Sequence, residues 1–372
     1  KNLRVIGSGA FTDCKSLESF TFPSYMNIIQ KDTFSGCTNL KKITIPKNVT
    51  KIAQSAFEGC VNLTSVKLSS DTTAIGTKAF KDCTGLTSFT IPNKVTLIRQ
   101  QAFDGCKNIK TFNISKNVNE IGKNVFINCT NLKSINVDKN NKKYATVNGS
   151  LYNKKKNNLI AYPGGRTSSY KVSKGTEYIG NQSFSGATVK KVVLPNTVKN
   201  IGYKAFENCK NITIPSSVSF IDAKAFDNTK YYNTSKHWYK GQLYVANCVV
   251  DSKTNIKSAN LKSGTRLIAK EAYYNRKNLK YVKLSNKLQY INDRAFLNCN
   301  KVKSAVLPKS IKYVGKKAIG YKITTVYADV DSFLEYYQKM ILARDDFTLY
   351  VYKNTAGNRY AKGNAFNYKV IK

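Results

Sequence analysis

Histidine and tryptophan each occur once in the 372 residues, side by side at His237 and Trp238. A Ser/His or Cys/His nucleophilic site would therefore have to be built on His237 alone. Acidic residues are scarce, 21 Asp and Glu against 61 Lys and Arg, for a net charge of +40. No apolar run approaches the roughly 20 residues that a membrane-spanning helix requires, so no membrane insertion is expected. Nine cysteines are present, yet none forms a closely spaced pair such as C-x2-C, which leaves no ordinary zinc site.

What remains is a folded composition, 41% hydrophobic and 22% charged, well outside the disordered range. The basic charge is almost all lysine: eight Arg leave 53 Lys. Base and phosphate readers draw on the bidentate arginine fork, so specific nucleic-acid recognition is not expected. Two accounts of the charge stay open. It follows from a composition rich in Lys, Asn, Tyr and Ile, or it attracts anionic partners such as acidic glycans or wall polymers.

Periodicity organises everything else. Cys14, Cys37, Cys60, Cys83, Cys106 and Cys129 each follow the last by 23 residues. Phe11, Phe34, Phe57, Phe80, Phe103 and Phe126 run three residues ahead of them, and Leu17, Leu40, Leu63, Leu86, Ile109 and Leu132 three behind. The unit reads I-x-x-x-A-F-x-x-C-x-x-L-x-x-h-x-h-P-x-x-V-x-x-I, with h apolar. It resumes at Phe184, Phe206, Phe226, Tyr273, Phe296 and Ile319, giving twelve units. Two insertions, at about 138–172 and 229–262, interrupt it.

Leu40–Ile45 alternates like a short strand with Ile43 and Ile45 facing inward, and Val49–Ile52 reads as a second one. The A-F step is too short for a full helix and is expected to form a helical turn. No unit can bury its apolar positions alone, so units must stack at roughly 4.7–4.9 Å, making a rod on the order of 55–60 Å long. The residue two after the aromatic is Asp13, Gly36, Gly59, Asp82, Gly105, Asn128, Gly186, Asn208, Asn228, Asn275 and Asn298. Gly, Asn and Asp tolerate a left-handed backbone, which predicts one positive-φ residue per unit. Tyr321 is the exception, in the last unit.

The A-F-x-x-C-x-x-L-x-x-h-x-h-P signature resembles the BspA-like class of bacterial leucine-rich repeats, over nearly the whole chain. Gly149-Ser150-Leu151-Tyr152 with Leu159-Ile160-Ala161-Tyr162-Pro163 resembles that family's variant unit. Asn228-Thr229, Tyr231-Tyr232-Asn233 and Gly241-Gln242-Leu243-Tyr244 resemble a second, with Tyr where Trp is usual after Asn-Thr. The resemblance implies a leucine-rich repeat solenoid, β-rich with short helical turns, over 1–322, and a secreted or surface-anchored adhesive or binding module. It implies partners among matrix proteins and host or microbial surfaces, and it carries no catalytic residues. The chain begins at Lys1 with Leu3–Phe11 already in mid-repeat, so a trimmed mature fragment is expected, its signal peptide removed.

Ladder cysteines 23 residues apart would stack with parallel Cβ vectors, unsuited to disulfides, and are expected to be buried and free. Cys248, outside the ladder, is the thiol expected to react first, although burial is favoured for it as well. Residues 323–372 read as a small α+β cap: a helix over Ser332–Ala343 behind a Ser332-x-x-Glu335 capping box, a strand at Phe347–Tyr352, a helix at Thr355–Lys362 and a strand at Phe366–Ile371. Asp329-x-Asp331 lacks the Gly and distal Glu of a calcium loop. Two binding surfaces are expected. One is the aromatic cluster His237, Trp238 and Tyr239, which could equally pack its insertion. The other is the outward strand face, Lys42, Thr44, Ser65, Lys67, Ser88, Thr90, Thr111 and Asn113, which could equally be only a solvated side. No column pairs two carboxylates, as polysaccharide hydrolysis would need. The expectation is a monomeric, cofactor-free extracellular binder of protein or glycan, or alternatively a passive stalk displaying another domain.

Overall fold

A 23-residue period packs well only if each residue meets its own counterpart one turn on, and the strand pairing meets that condition. Lys42 pairs with Ser65, Ile43 with Val66 and Thr44 with Lys67, all parallel. Ser88, Thr111 and Ser134 follow in the same register. The computed structural model describes residues 3–328, 336–364 and 366–372. It divides into two compact units, Lys1–Val198 with Lys204–Pro215, and Lys199–Tyr203 with Ser216–Lys372.

In the first unit, the leading strands include Lys42–Thr44, Ser65–Lys67, Ser88–Thr90, Thr111–Ile114 and Ser134–Val137. A second parallel sheet joins Ile28–Ile29, Lys51–Ile52, Ala74–Ile75, Leu97–Ile98 and Glu120–Ile121. Alternation decides what each strand buries: Ile43 and Ile45 are buried, while Lys42 and Thr44 between and beside them are exposed.

The third side of each repeat is the aromatic turn, and it is not the expected helical turn. Every second amide leaves the repeat. Asp32, Phe34 and Gly36 donate to the carbonyls of Gln54, Ala56 and Glu58 at 3.0, 2.9 and 2.8 Å. The same three bonds recur from Gly9, Phe11 and Asp13 through Gln101, Phe103 and Gly105. Amides in between close locally, Ser35 to Asp32 and Cys37 to Phe34, both at 3.1 Å. A helix sends all its amides back along itself, whereas this turn shares them with a neighbour, so its backbone must change hand. All eleven residues predicted to be left-handed are so, with φ between 53° and 75°. In the last unit the role passes from Tyr321 to Gly320 (φ 81°).

A second left-handed column, two residues before the aromatic, carries no residue-type signal. Gly9, Asp32, Ser55, Lys78, Gln101, Asn124, Gln182, Lys204, Lys224, Glu271, Arg294 and Lys317 all have φ between 50° and 69°.

Inside the turn the phenylalanines form a column. Phe11, Phe34, Phe57, Phe80 and Phe103 stack at 5.3–5.5 Å between centroids and within 9° of parallel. Their spacing exceeds that of the strands, which places the rings in the offset arrangement aromatic pairs prefer. Beside them runs a thiol ladder. Cys37, Cys60, Cys83 and Cys106 each donate from Sγ to the carbonyl of the preceding repeat's aromatic, at 3.0–3.1 Å. This explains a preference for Cys over Val or Ala: it fills a small apolar volume and also satisfies a buried carbonyl. All nine cysteines are free, and only Cys14 is partly exposed. Cys248 is buried, as favoured for it, and its thiol is pushed up to about 11 by burial.

Both insertions fold as three-stranded antiparallel meanders. Tyr144–Val147 and Ser150–Asn153 meet at Asn148-Gly149, and Trp238–Tyr239 and Gln242–Val245 at Lys240-Gly241. Both central residues have positive φ in each case, the geometry of a two-residue hairpin turn that matches strand twist. The third strand then rejoins the parallel ladder, Leu159 beside Ile179 and Val249 beside Ile268.

The C-terminal part of the second unit departs from expectation in one element. Tyr336–Ala343 is a strand, paired antiparallel along its length with Tyr321–Ala328, where a helix was expected. Residues 332–335, with the proposed capping box and the Asp329-x-Asp331 pair, lie outside the described residues. The partner strand Tyr321–Ala328, with the β-branched run Ile323-Thr324-Thr325-Val326 at its centre, supplies eight registered positions, and that pairing overrides the helical period. The strand Thr348–Tyr352, the helix Ala356–Lys362 capped by Thr355, and the strand Asn367–Ile371 are as expected. Thr348–Tyr352 pairs with Ser304–Val306, and helix residue Gly357 sits against Leu307.

Two predictions follow from the turn. A Cβ at Gly59 would find only Gly36 backbone, 3.7 Å away, so its φ of 75° is the sole constraint. Gly59→Asn should therefore change stability by less than about 0.5 kcal/mol, and Gly59→Val should cost about 1–2 kcal/mol in urea unfolding. The second concerns pH. Burial holds the Cys37 thiol at about 11 and those of Cys129, Cys209 and Cys299 at about 12. Above pH 9 the unfolded chain releases thiol protons that the folded chain keeps, so stability falls as pH rises from 9 toward 12. Melting temperature should drop over that window, and at pH 8 a thiol reagent should label Cys14 alone until denaturant is added.

Candidate binding surfaces

Strand alternation sends one set of side chains outward, and the parallel register stacks them into columns. In the first unit Lys42, Thr44, Ser65, Lys67, Ser88, Thr90 and Asn113 are exposed and Thr111 is half-buried. The structure therefore brings all eight expected strand-face residues onto one surface, with Lys42 beside Ser65 and Ser88 beside Thr111. Their hydroxyls and amides are largely free to meet a partner, although farther along Asn136 already donates to Asn113 at 3.0 Å.

That face ends at the first meander. Arg166 donates to the carbonyl of Asn148 in the hairpin turn, and its guanidinium lies 5.8 Å from the Tyr162 ring and 5.6 Å from Tyr170. With Lys171 and Lys191 it lines an open concavity of about 700 Å³.

The expected aromatic cluster belongs to the second unit, whereas the eight strand-face residues belong to the first. His237, Trp238 and Tyr239 do come together, all half-buried. Each packs its ring against another residue of the same meander. Trp238 donates from Nε1 to the Tyr232 carbonyl at 2.8 Å and stands edge-on to the Tyr232 ring. The His237 ring packs at a tilt against Tyr231, 4.7 Å between centroids. Lys262 lies between Tyr239 and Tyr244, 4.9 and 4.6 Å from their centroids. Burial, then Lys236, Lys262 and Lys230, lower the His237 pKa, which keeps the imidazole neutral at pH 7 beside those lysines.

A third surface was missed. At the strand position that Ser65 and Ser88 occupy in the first unit, the second unit carries Ser258, Tyr281 and Ser304, on Ser258–Asn260, Tyr281–Lys283 and Ser304–Val306. Tyr281 pairs with Ser258 and is 70% exposed. Beside it Lys280, Lys283, Lys301 and Lys303 surround an open concavity of about 580 Å³. Extending the strand-face column past residue 136, eight residues after each aromatic, would have revealed the tyrosine.

Charged pairs elsewhere serve the frame. Asp251 meets Arg276 at 2.9 Å and Asp222 meets Lys270 at 2.9 Å. Buried Arg344 donates to the carbonyls of Cys299 and Val302 and to both oxygens of Asp346, and that pairing holds the Asp346 carboxyl far below its usual range. Among the described residues no three His, Cys, Asp or Glu side chains gather as a metal site, and no helix is long and apolar enough to cross a membrane.

The sequence matches the pattern of the BspA type leucine rich repeat region (six copies) over residues 4–133, 50–157, 177–236 and 211–326. The chain belongs to that family. Among solved structures it is similar to a leucine-rich repeat protein from Eubacterium ventriosum, at 22% identity over 81% of this chain and 82% of that one, with a TM-score of 0.51. That likeness establishes a shared fold. Also similar are a leucine rich cell surface protein from Faecalibacterium prausnitzii (24% identity, 84% and 82% covered, TM-score 0.49) and the pneumococcal vaccine antigen PcpA (21%, 90% and 80%, TM-score 0.47). No protein of curated function matches the sequence.

The geometry at Trp238 makes a prediction about stability. Trp238→Phe keeps the ring contact but leaves the Tyr232 carbonyl without its donor, a loss of about 1 kcal/mol. Trp238→Ala should cost about 2 kcal/mol or more by removing the ring as well. Thermal melts of the two variants measure the difference.

Proposed function

We propose that this chain is a cell-surface binding module that acts by contact and performs no catalysis. The observation that carries the reading is the outward strand face of the first unit. Its small hydroxyl, amide and lysine side chains stand exposed in register over successive repeats, and repeat solenoids characteristically offer such extended faces to partners. Membership of a leucine-rich repeat family supports it further, because these repeats ordinarily serve as binding modules. The partner is a protein or glycan displayed on extracellular matrix, a host cell or another microbe. The module works as a monomer outside the cell.

The face should be tested directly. Immobilised matrix proteins and whole microbial cells are presented to the purified chain at 0.15 M salt, beside a Lys42→Glu, Lys67→Glu double variant. Adhesion by the parent, reduced at least tenfold in the variant, supports the reading. Undiminished adhesion moves the contact elsewhere on the molecule. Absence of adhesion by the parent overturns the reading in favour of a stalk that displays another domain.

A further inference from the structure

The strand face of the second unit carries a different chemistry from that of the first. The strands that flank Tyr281 carry Ser258 and Ser304 at the corresponding positions, and the ring borders a shallow concavity lined by lysines, Val282, Asn300 and Ser304. Lys280, Lys283 and Lys301 are exposed around it. No carboxylate lines the concavity, and the acid that does approach its rim, Asp346, is already paired with Lys303 and Arg344. The site thus sets one exposed aromatic face beside three lysines that no carboxylate of the concavity pairs, an apolar surface and a positive charge within reach of one ligand.

We propose that this concavity binds an acidic polysaccharide, with a pyranose ring lying on Tyr281 and its sulfates or carboxylates met by Lys280, Lys283 and Lys301. A sugar offers an apolar C–H face that suits a single flat ring. Lysine suits its anions, which point in many directions, because an ammonium is a compact charge without the planar fork that arginine directs at one partner. Single-stranded nucleic acid fits less well, since it stacks successive bases on successive aromatics and the strands on both sides carry serine. The proposal rests on the cell-surface reading above and names one partner class for it, on a surface separate from the eight strand-face residues of the first unit.

The test uses the full chain and two substitution sets. Tyr281→Ser installs the residue that both neighbouring repeats already carry, so the fold is preserved. Lys280→Gln, Lys283→Gln, Lys301→Gln removes three charges from the site, and Lys47→Gln, Lys51→Gln, Lys116→Gln removes three exposed charges elsewhere. Binding to heparin, polygalacturonate, neutral dextran and a single-stranded oligonucleotide is measured by calorimetry at 0.15 M salt, with melting curves for every variant. The expected result is binding to heparin or polygalacturonate but not dextran. Tyr281→Ser and the site triple should each weaken it at least tenfold, and the control triple less than twofold. Heparin against polygalacturonate separates a sulfated from a carboxylated ligand. Equal losses in both triples would assign the binding to diffuse charge and overturn the proposal. So would absent binding, or an oligonucleotide that binds more tightly and displaces the polysaccharide. Matrix adhesion by the Tyr281→Ser protein, measured alongside, keeps a failure here distinct from a failure of the broader function.

Discussion

Three backbone hydrogen bonds per repeat, running from one aromatic turn to the next, set the terms for everything else in this fold. The strands on the other two sides are only two to four residues long in the regular repeats of the first unit, too short to hold a sheet by themselves. The turn ladder adds paired backbone at the corner where the core ring enters. It also demands two left-handed residues, each costing about 1–2 kcal/mol where glycine is absent, against about 1 kcal/mol returned by each of three hydrogen bonds. Those terms nearly cancel. The balance falls to the phenylalanine column, where burying a ring removes some 150–250 Å² and contributes about 4–6 kcal/mol at 25 cal/mol/Å². The ladder thus fixes geometry and the rings supply stability.

The meanders show what happens when that ladder is interrupted. Each insertion leaves the coil through a two-residue hairpin turn and returns through a strand that pairs in parallel with the next repeat. In the first, Tyr162 resumes the aromatic column by stacking on Phe184 at 4.8 Å. In the second, Tyr273 closes inward on Gln242. The aromatics that looked like a recognition cluster, His237, Trp238 and Tyr239, are occupied in building the meander around Tyr231, Tyr232 and Tyr244. Half of their chemistry is spent on the fold, which is why the outward strand columns make the stronger candidates for contact.

Much of this was legible in the residues, and the rest was not for identifiable reasons. Phe, Cys and Leu columns announce themselves because core positions tolerate few substitutes. The left-handed column after the aromatic was readable because Gly, Asn and Asp report backbone conformation. Its companion before the aromatic was silent because Lys78, Gln101, Glu271 and Arg294 are forced into the same conformation by hydrogen bonds to another repeat, and their type says nothing about it. Tyr336–Ala343 was misread because its partner, Tyr321–Ala328, lies beyond the reach of a local period. Tyr281 was overlooked because the strand-face columns were followed only through the first six repeats.

The turn ladder also has a direction. Throughout the first six repeats each bond of the aromatic turn runs from an amide of one repeat to a carbonyl of the repeat that follows it, whereas amides on the strand sides, such as Lys41 and Thr50, donate back to Glu18 and Asn27 of the repeat before. Along the turn the peptide dipoles therefore add instead of cancelling, as they do along a helix, and as they do not in an ordinary sheet. A ladder built this way ends in carbonyls on one side and amides on the other. Two copies meeting like end to like end would oppose acceptor to acceptor or donor to donor. The ladder is therefore polar, and each repeat can join it in one orientation only.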